Sequence, residues 1–336
     1  MFKYPIIGVF LLSILLISCG NDPLKVDTET IELNLKFNRF EQDFFELKKS
    51  TDLKAGLASL QKKYSEFYLR YTKNIMQFGD EKNPSFETGI KGFLNDKDIN
   101  TIYNDVQKKY TDVNDIKAEL TESFKKYNYH FPKKRVPAVV TFVSGFTYGV
   151  VATDSVLGIG LDRYLGADYI YYTKMGWPKY ITARSQKSYI VADAMQGWIG
   201  TEFEVNNPKK ILLNDIIHQG KILYALDATV NAHDTVKITY TKAQLDWARY
   251  NEFDVWKFMV DKKVLFTSNA SEISKFLNDG PFTSGFPKES PPRLGVFIGW
   301  KIVKSYMKNN KITLEELMKE QDAQKILNKS KYKPNK

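Results

Sequence analysis

Apolar residues between positions 212 and 226 recur every three or four residues, which is the spacing of a helix with one buried face. The polar residues of this stretch, His218 among them, fall on the opposite side. The apolar members are Leu212, Leu213, Ile216, Ile217, Ile222, Leu223 and Leu226. Two similar stripes, at 53–71 and 113–127, predict core helices in the first half of the chain. The pattern therefore predicts a predominantly helical protein.

Strand-like patterns are fewer and lie close together. Residues 31–37 alternate between apolar and polar side chains, as in a half-buried strand. Three runs rich in apolar and β-branched residues follow at 136–143, 146–151 and 156–161, separated by short turn sequences. Together with the helices, they predict an α+β fold with a small sheet. The sequence has no internal repeat, and we predict one globular domain over residues 31–336.

Capping sequences mark the start of two later helices. Thr241 with Gln244, and Thr313 with Glu316, have the three-residue spacing of a capping box. The first of these boxes opens a stretch at 240–260 that we predict to be helical.

Glycines at two places carry structural information. Gly295 and Gly299 lie one turn apart in a predicted helix, where each costs about 1 kcal/mol relative to alanine. We therefore expect another helix to pack closely against them. Gly158 and Gly160 resemble part of a dinucleotide-binding loop, but the third glycine and the strand-turn-helix setting are missing, so no dinucleotide site is predicted.

The N-terminus has the pattern of an exported lipoprotein. A short apolar core at 6–17 is followed by Ser18 and Cys19, the one cysteine of the chain. We predict a signal peptide over residues 1–18, lipidation of Cys19, and a polar tether over residues 19–30. The alternative is an ordinary signal peptide that happens to contain a cysteine. Lipidation would leave no free thiol for cysteine catalysis.

The charge balance is basic. The chain has 49 Lys and Arg against 39 Asp and Glu, a formal net charge of +10. Such an excess can indicate nucleic-acid binding. Because an exported lipoprotein seldom meets nucleic acid, we expect no nucleic-acid partner. Anionic lipid headgroups, cell-wall polymer or an acidic protein surface fit the charge better.

The predicted helix around His218 carries the remains of a metal-binding pattern. Zinc peptidases use His-Glu-x-x-His on a helix, in which two histidines bind the metal and the glutamate is the general base. Here Gln219 replaces the glutamate and Ile222 replaces the second histidine. A later glutamate of the kind that supplies a third ligand is present as Glu252. We predict a vestigial active-site cleft of His218, Gln219, Ile222 and Glu252, with no metal, no cofactor and no catalytic residue.

Two other interpretations of this helix stay open. A lone histidine on a helix is often an ordinary core or groove residue. The protein could instead be a metal-dependent hydrolase with a rearranged site, in which His130 or His233 supplies the missing ligand and Glu252 or Asp254 is the base.

Aromatic residues are dense between positions 161 and 180. Tyr164, Tyr172 and Trp177 are candidates to line a groove for sugar or peptide, because such rings offer flat faces with polar tips. A cell-wall-binding module is therefore a further candidate function. The alternative is that these rings pack inside the protein around a long connection.

Several motifs, taken in order, resemble one family. They are Cys19 after the lipoprotein signal, Val-Leu-Gly-Ile-Gly-Leu-Asp-Arg-Tyr-Leu-Gly at 156–166, Asn251-Glu252 with Trp256, Asp-Gly-Pro-Phe-Thr at 279–283, Ser-Pro-Pro-Arg-Leu-Gly-Val-Phe-Ile-Gly-Trp at 290–300, and Ser-Lys-Tyr-Lys-Pro at 330–334. Together they resemble GldB, a gliding-motility lipoprotein family of the Bacteroidetes, over essentially the whole mature chain.

The resemblance implies a fold and a function. It implies a palmitate-bearing lipoprotein of the cell envelope that is needed for gliding, held by its lipid in the cell membrane or outer membrane and facing the periplasm. It also implies protein partners in the motility and type IX secretion machinery. Peptidoglycan is a further candidate partner, which rests on the aromatic residues around Trp177. The family is similar to zinc-peptidase-like proteins, so the resemblance implies a zincin-like domain, of whose site only His218 and Glu252 remain.

Overall fold

The computed structural model describes residues 24–204 and 210–336. The predicted signal peptide, the lipidation site Cys19 and the first part of the predicted tether lie outside the described residues. Within them, helices predominate and a small sheet accompanies them, so the expected α+β class is confirmed.

The N-terminal half contains one short strand and a group of helices. They are β1 Phe37–Arg39, α1 Phe40–Glu46, α2 Leu53–Tyr64, α3 Glu66–Arg70, α4 Pro84–Asn95, α5 Lys97–Lys109 and α6 Asn114–His130. Helices α2, α3 and α6 confirm the helices that the apolar stripes at 53–71 and 113–127 predicted. Asp52 caps α2, because its carboxylate accepts a 3.0 Å hydrogen bond from the backbone N–H of Ala55.

Three further strands complete the sheet, which has the order β1-β2-β4-β3. They are β2 Ala138–Phe142, β3 Val150–Ala152 and β4 Val156–Gly160. The strand β2 pairs in parallel with β1 and β4, and β3 pairs antiparallel to β4. The strands β2 and β4 lie within the predicted runs at 136–143 and 156–161 and are shorter than those runs. The run predicted at 146–151 is misplaced, because β3 begins only at Val150 and continues to Ala152, one residue beyond the run.

The predicted strand at 31–37 is wrong in position. The structure places β1 only at Phe37–Arg39, and residues 31–36 are outside any strand. Leu35 is nevertheless buried, and the carbonyl of Lys36 accepts a 2.8 Å hydrogen bond from the N–H of Val139. The alternating pattern reports which side chains face the core, and an extended segment can show it without forming a ladder of hydrogen bonds.

The glycines of β4 have a structural role. A Cβ on Gly160 would lie 2.1 Å from the carbonyl oxygen of Tyr148 and 3.2 Å from the Phe142 ring, and one on Gly158 would lie 2.9 Å from the Phe67 ring. Their absent side chains make room for aromatic rings and for the backbone next to the central strands.

The C-terminal half is helical. Its helices are α7 Ile170–Lys174, α8 Lys179–Thr182, α9 Ile190–Glu202, α10 Leu212–Thr229, α11 Asp234–Ile238, α12 Lys242–Tyr250, α13 Glu252–Asp261, α14 Ala270–Leu277, α15 Leu294–Asn309, α16 Leu314–Lys319 and α17 Ala323–Ser330. Both capping boxes are present, at Thr241 with Gln244 and at Thr313 with Glu316. The helix predicted at 240–260 is two helices, because Asn251 ends α12 and its side-chain amide donates to the carbonyl of Trp247.

Helices α10 and α15 pack closely against each other, and glycine makes the approach possible. A Cβ on Gly299 would lie 1.8 Å from the carbonyl oxygen of Ile216, and a Cβ on Gly220 would lie 2.3 Å from that of Gly299. On Gly295 it would meet Phe276 and Ile216 at about 3 Å. The close packing expected at Gly295 and Gly299 is therefore confirmed, and α10 is the helix that Gly299 contacts.

The buried apolar residues of both halves join in one cluster, which includes Phe40, Phe142, Trp198, Leu212 and Trp300. In the described parts of the chain, no helix combines the length and the apolar content needed to cross a bilayer.

Candidate functional site

His218 lies on α10 beside a void of about 10 Å³, far smaller than the roughly 300 Å³ at which ligand pockets begin. Its Nδ1 atom is buried and has no hydrogen-bond partner in the part of the chain that the structure describes. Burial, and then the positive charge of Lys221, lower the pKa of His218 to about 4. The imidazole is therefore neutral at physiological pH.

Lys221 occupies the next turn of α10 and is also buried, with 3% of its surface exposed. Its ammonium donates to the carbonyl oxygens of Met318 at 3.0 Å and Glu320 at 2.7 Å. Burial lowers the pKa of Lys221 to about 8, against the opposing effect of Glu320. The positive charge of Lys221 thus acts on His218 and disfavours both a protonated imidazole and a metal cation bound to it.

The other residues of the predicted vestigial site have separate surroundings. Ile222 is buried in the core, and Gln219 is half-buried on α10. The carboxylate of Glu252 accepts a 2.9 Å hydrogen bond from the Tyr332 hydroxyl and pairs with Lys301 at 3.1 Å. Glu252 therefore joins α13 to α15 and to the C-terminal segment, and it does not line the void at His218.

The two histidines proposed as replacement ligands, His130 and His233, both lie at helix ends. His130 ends α6, its Nε2 atom is buried with no hydrogen-bond partner among the described residues, and burial lowers the pKa of its imidazole. His233 caps α11, because its Nδ1 atom accepts from the N–H of Thr235 at 3.2 Å. Over residues 24–204 and 210–336, no group of three or more His, Cys, Asp or Glu side chains is arranged to hold a metal ion.

Of the three aromatic residues proposed to line a groove, one lines a cavity and two stack on each other. Tyr164 lines a cavity of about 390 Å³. Tyr172 is fully buried, and its ring stacks on Trp177 with centroids 4.8 Å apart and planes 9° apart. Packing explains the position of Tyr172, and Trp177 in turn supports an arginine of the cavity.

This cavity lies between the sheet and the C-terminal helices. Its wall is formed by residues of β3, α9, the turn after β4, and four loops: Gly149, Val150, Arg163, Tyr164, Arg184, Ser185, Asp193, Gln196, Gly197, Thr239, Asp279 and Arg293. A Cβ on Gly197 would lie 2.7 Å from the Val150 side chain, so glycine lets α9 approach β3 here. Its volume falls within the range of ligand pockets.

Two of the three cavity arginines share one carboxylate. Arg184 contacts Asp279 at 2.8 Å, and the Nε atom of Arg293 lies 3.1 Å from the same carboxylate. Arg293 also donates to the carbonyl of Ile238 and to the hydroxyl of Thr239. These contacts fix both guanidinium groups at the wall.

Arg163 is held differently. Its guanidinium lies over the Trp177 ring, 4.1 Å from the centroid, and donates a long 3.4 Å hydrogen bond to the carbonyl of Phe146. Among the described residues it forms no ion pair. The carboxylate of the neighbouring Asp162 is fully buried, and its Oδ2 atom accepts from the backbone N–H groups of Ser144 and Phe146.

Asp193 is the second charged group of the cavity without an ion pair among the described residues. The hydroxyl of Tyr164 donates to its Oδ2 atom at 3.0 Å. Burial raises the pKa of Asp193 to about 6, although Arg184, Arg293 and Arg163 oppose that rise. Part of the residue still reaches the cavity surface.

Sequence reasoning did not identify Arg163, Arg184, Asp193 and Arg293 as site residues. A signal was present for two of them, because Arg163 and Arg293 stand inside the motifs at 156–166 and 290–300 that carry the family resemblance. Those motifs, with Asp279 of a third, meet at one cavity.

Comparison with known proteins supports the resemblance. The family model described as gliding motility protein GldB matches residues 21–334. Searches of curated proteins and of solved structures give no significant match. Since the family match covers nearly the whole chain, the protein belongs to the GldB family of gliding motility proteins, as its motifs predicted.

Proposed function

We propose that the protein is a non-catalytic lipoprotein, anchored by acyl chains on Cys19, that takes part in gliding by binding protein components of the motility and type IX secretion machinery. Family membership implies a part in gliding motility. The lipid anchor rests on the Ser18-Cys19 pattern of the sequence, and it would hold the domain at the cell membrane or outer membrane, facing the periplasm.

The observation that carries the non-catalytic role is the surroundings of His218. In a zinc-peptidase frame the second ligand stands four residues after the first, and here that residue is Ile222, which is buried and has no donor atom. The base position is Gln219, whose amide does not take up a proton at neutral pH. Lys221 adds a positive charge beside the imidazole.

A zincin-like ancestry of the domain is part of this proposal. It places α10 as the former metal-binding helix and Glu252 of α13 as the former third ligand. In the present chain, both positions support packing: α10 lies against α15, and Glu252 contacts Tyr332 and Lys301. A retained framework without its chemistry is suited to holding a partner.

Complementation of a gliding strain that lacks the gene tests this proposal. We expect the His218→Gln and Glu252→Gln variants, singly and together, to restore gliding whenever circular dichroism shows them folded. The matched control is Cys19→Ala, which should leave the protein out of the membrane fraction and impair gliding.

The rearranged hydrolase predicts the opposite results. A folded His218→Gln protein that cannot support gliding would overturn the non-catalytic role. So would zinc bound in a one-to-one ratio by the purified wild-type chain and lost in the His218→Gln variant, as measured by mass spectrometry.

A further inference from the structure

The cavity between the sheet and the C-terminal helices has an unusual arrangement of charge. Three arginines and two aspartates line it, which leaves one positive charge in excess when both carboxyls are ionised. Arg184, Arg293 and Asp279 satisfy one another. Arg163 and Asp193 remain, one cation and one carboxyl, and neither forms an ion pair with a described residue.

Both side chains are half-buried and have polar or aromatic contacts, but neither has an opposite charge in contact among the described residues. Removing a charge from water without a counter-charge is costly, so the presence of both groups in one cavity points to a ligand. A cavity of about 390 Å³ has room for a molecule of the size of a short peptide end. An anion at Arg163 would gain a charge-assisted hydrogen bond, and a donor at Asp193 would satisfy the carboxylate.

We propose that this cavity binds a carboxylate ligand that also carries an amino or hydroxyl donor, with Arg163 holding the carboxylate and Asp193 accepting from the donor. The excess of positive charge in the wall favours a ligand that carries a carboxylate. A phosphate dianion fits less well, because it has no ammonium or neutral donor for the Asp193 carboxylate and would be repelled by it.

Both proposed contacts are held in place before any ligand enters. Trp177 fixes the plane of the Arg163 guanidinium at 4.1 Å, and Tyr172 stacks on Trp177 in turn. The Tyr164 hydroxyl orients Asp193 through its 3.0 Å hydrogen bond. A guanidinium that is already oriented loses less conformational entropy on binding than a free side chain.

Titration calorimetry of the full chain in detergent tests the proposal, with glycine, dialanine and trialanine as a length series of zwitterionic probes. At least one should bind, and its C-terminal amide, which lacks the carboxylate, should bind at least tenfold more weakly, a change of about 1.4 kcal/mol. Inorganic phosphate should bind more weakly than the best probe.

Two variants assign the contacts. Arg163→Gln should weaken binding of the best probe at least tenfold. Arg249→Gln is the matched control, because Arg249 pairs with Asp234 at 2.9 Å outside the cavity, and it should bind as the wild type does. Asp193→Asn should reduce the preference for the free amine over the N-acetylated peptide.

The outcomes that overturn the site are separate from those of the gliding assay. The site is refuted if no probe binds at about 10 mM, which corresponds to less than about 3 kcal/mol of binding free energy. It is equally refuted by phosphate binding more tightly than every zwitterionic probe, or by a folded Arg163→Gln protein that binds as the wild type does. The gliding phenotype of His218→Gln bears on none of these.

Discussion

The α10–α15 pair and the cavity next to α9 both bury ionisable groups, but they differ in whether those groups have polar partners and in how closely the surrounding elements pack. At the helix pair, the backbones touch through glycine, and Lys221 of α10 is satisfied by two carbonyl oxygens. At the cavity, the walls stay apart and two charged groups lack ion pairs among the described residues. The comparison teaches that His218, Gln219 and Ile222, predicted as a vestigial site, lie in a closed region of tight packing. The open region at the cavity instead brings together Arg163, Asp279 and Arg293 from three motifs of the family resemblance.

The largest expected effect tests how tightly the helix pair is closed. Gly299→Ala should lower the free energy of unfolding by at least about 3 kcal/mol, because its Cβ would lie 1.8 Å from the Ile216 carbonyl oxygen and the helices would have to separate. Gly92→Ala is the control. Gly92 is exposed in α4 with no atom near its Cβ position, so alanine should stabilise by about 0.5–1 kcal/mol. Urea denaturation of both variants measures the contrast, and equal effects would mean that the helices are not closely packed.

The next effect concerns His218 in the closed region. Its folded pKa of about 4 lies below the ordinary 6.5, so the unfolded chain binds the proton more readily between these values. Stability due to His218 is therefore present above pH 6.5 and is lost as the pH falls towards 4. The difference between wild type and His218→Gln should change by about 2 kcal/mol over this range. Denaturation at several pH values measures it, and a constant difference would contradict the buried, neutral imidazole.

For Asp193 in the open region, we expect the contribution to stability to change with pH in the opposite direction. Its folded pKa of about 6 lies above the ordinary 3.8, so the folded chain binds the proton more readily between these values. Its contribution to stability is most favourable below pH 3.8 and declines as the pH rises through 6. Relative to wild type, Asp193→Asn should gain about 1–2 kcal/mol from pH 4 to pH 7. The same denaturation series gives this value, and a gain towards acid pH would show that an ion pair dominates Asp193.

The smallest effect tests the hydrogen bond that joins Glu252 to the C-terminal segment. Tyr332→Phe removes its 2.9 Å hydrogen bond to Glu252 and keeps the contact with the Trp256 ring at 5.1 Å. We expect a loss of about 1 kcal/mol in the free energy of unfolding. In a Glu252→Gln background, Tyr332→Phe should lower the free energy of unfolding by less, because the charged acceptor of the hydrogen bond is absent. Equal losses in both backgrounds would argue against the contact.

The fold was predictable where a periodic pattern reports burial directly. The helix around His218, the strands near positions 140 and 158, and the glycine contact at Gly299 follow from local spacing. The strand predicted at 31–37 was misplaced because alternation measures burial, and hydrogen bonding to a neighbour depends on distant residues.

The cavity was not predictable for the same physical reason. Arg163, Arg184, Asp193 and Arg293 are spread over 130 positions or so of the chain, and only the packing of α9 against the sheet brings them to one wall. A single arginine or aspartate in a sequence looks like solvated surface. Its lack of an ion pair becomes visible only once every neighbouring element is in place.

The anchoring of Lys221 has a consequence for how the chain matures. Its ammonium is held by carbonyl oxygens 97 and 99 residues further along, so the central helix cannot hide this charge until nearly the last segment has been synthesised. In a chain that still lacks its C-terminal segment, Lys221 stays hydrated, and its charge opposes the burial of α10. Residues 318–320 must therefore be present before α10 can bury this charge with the partners that it has in the folded protein.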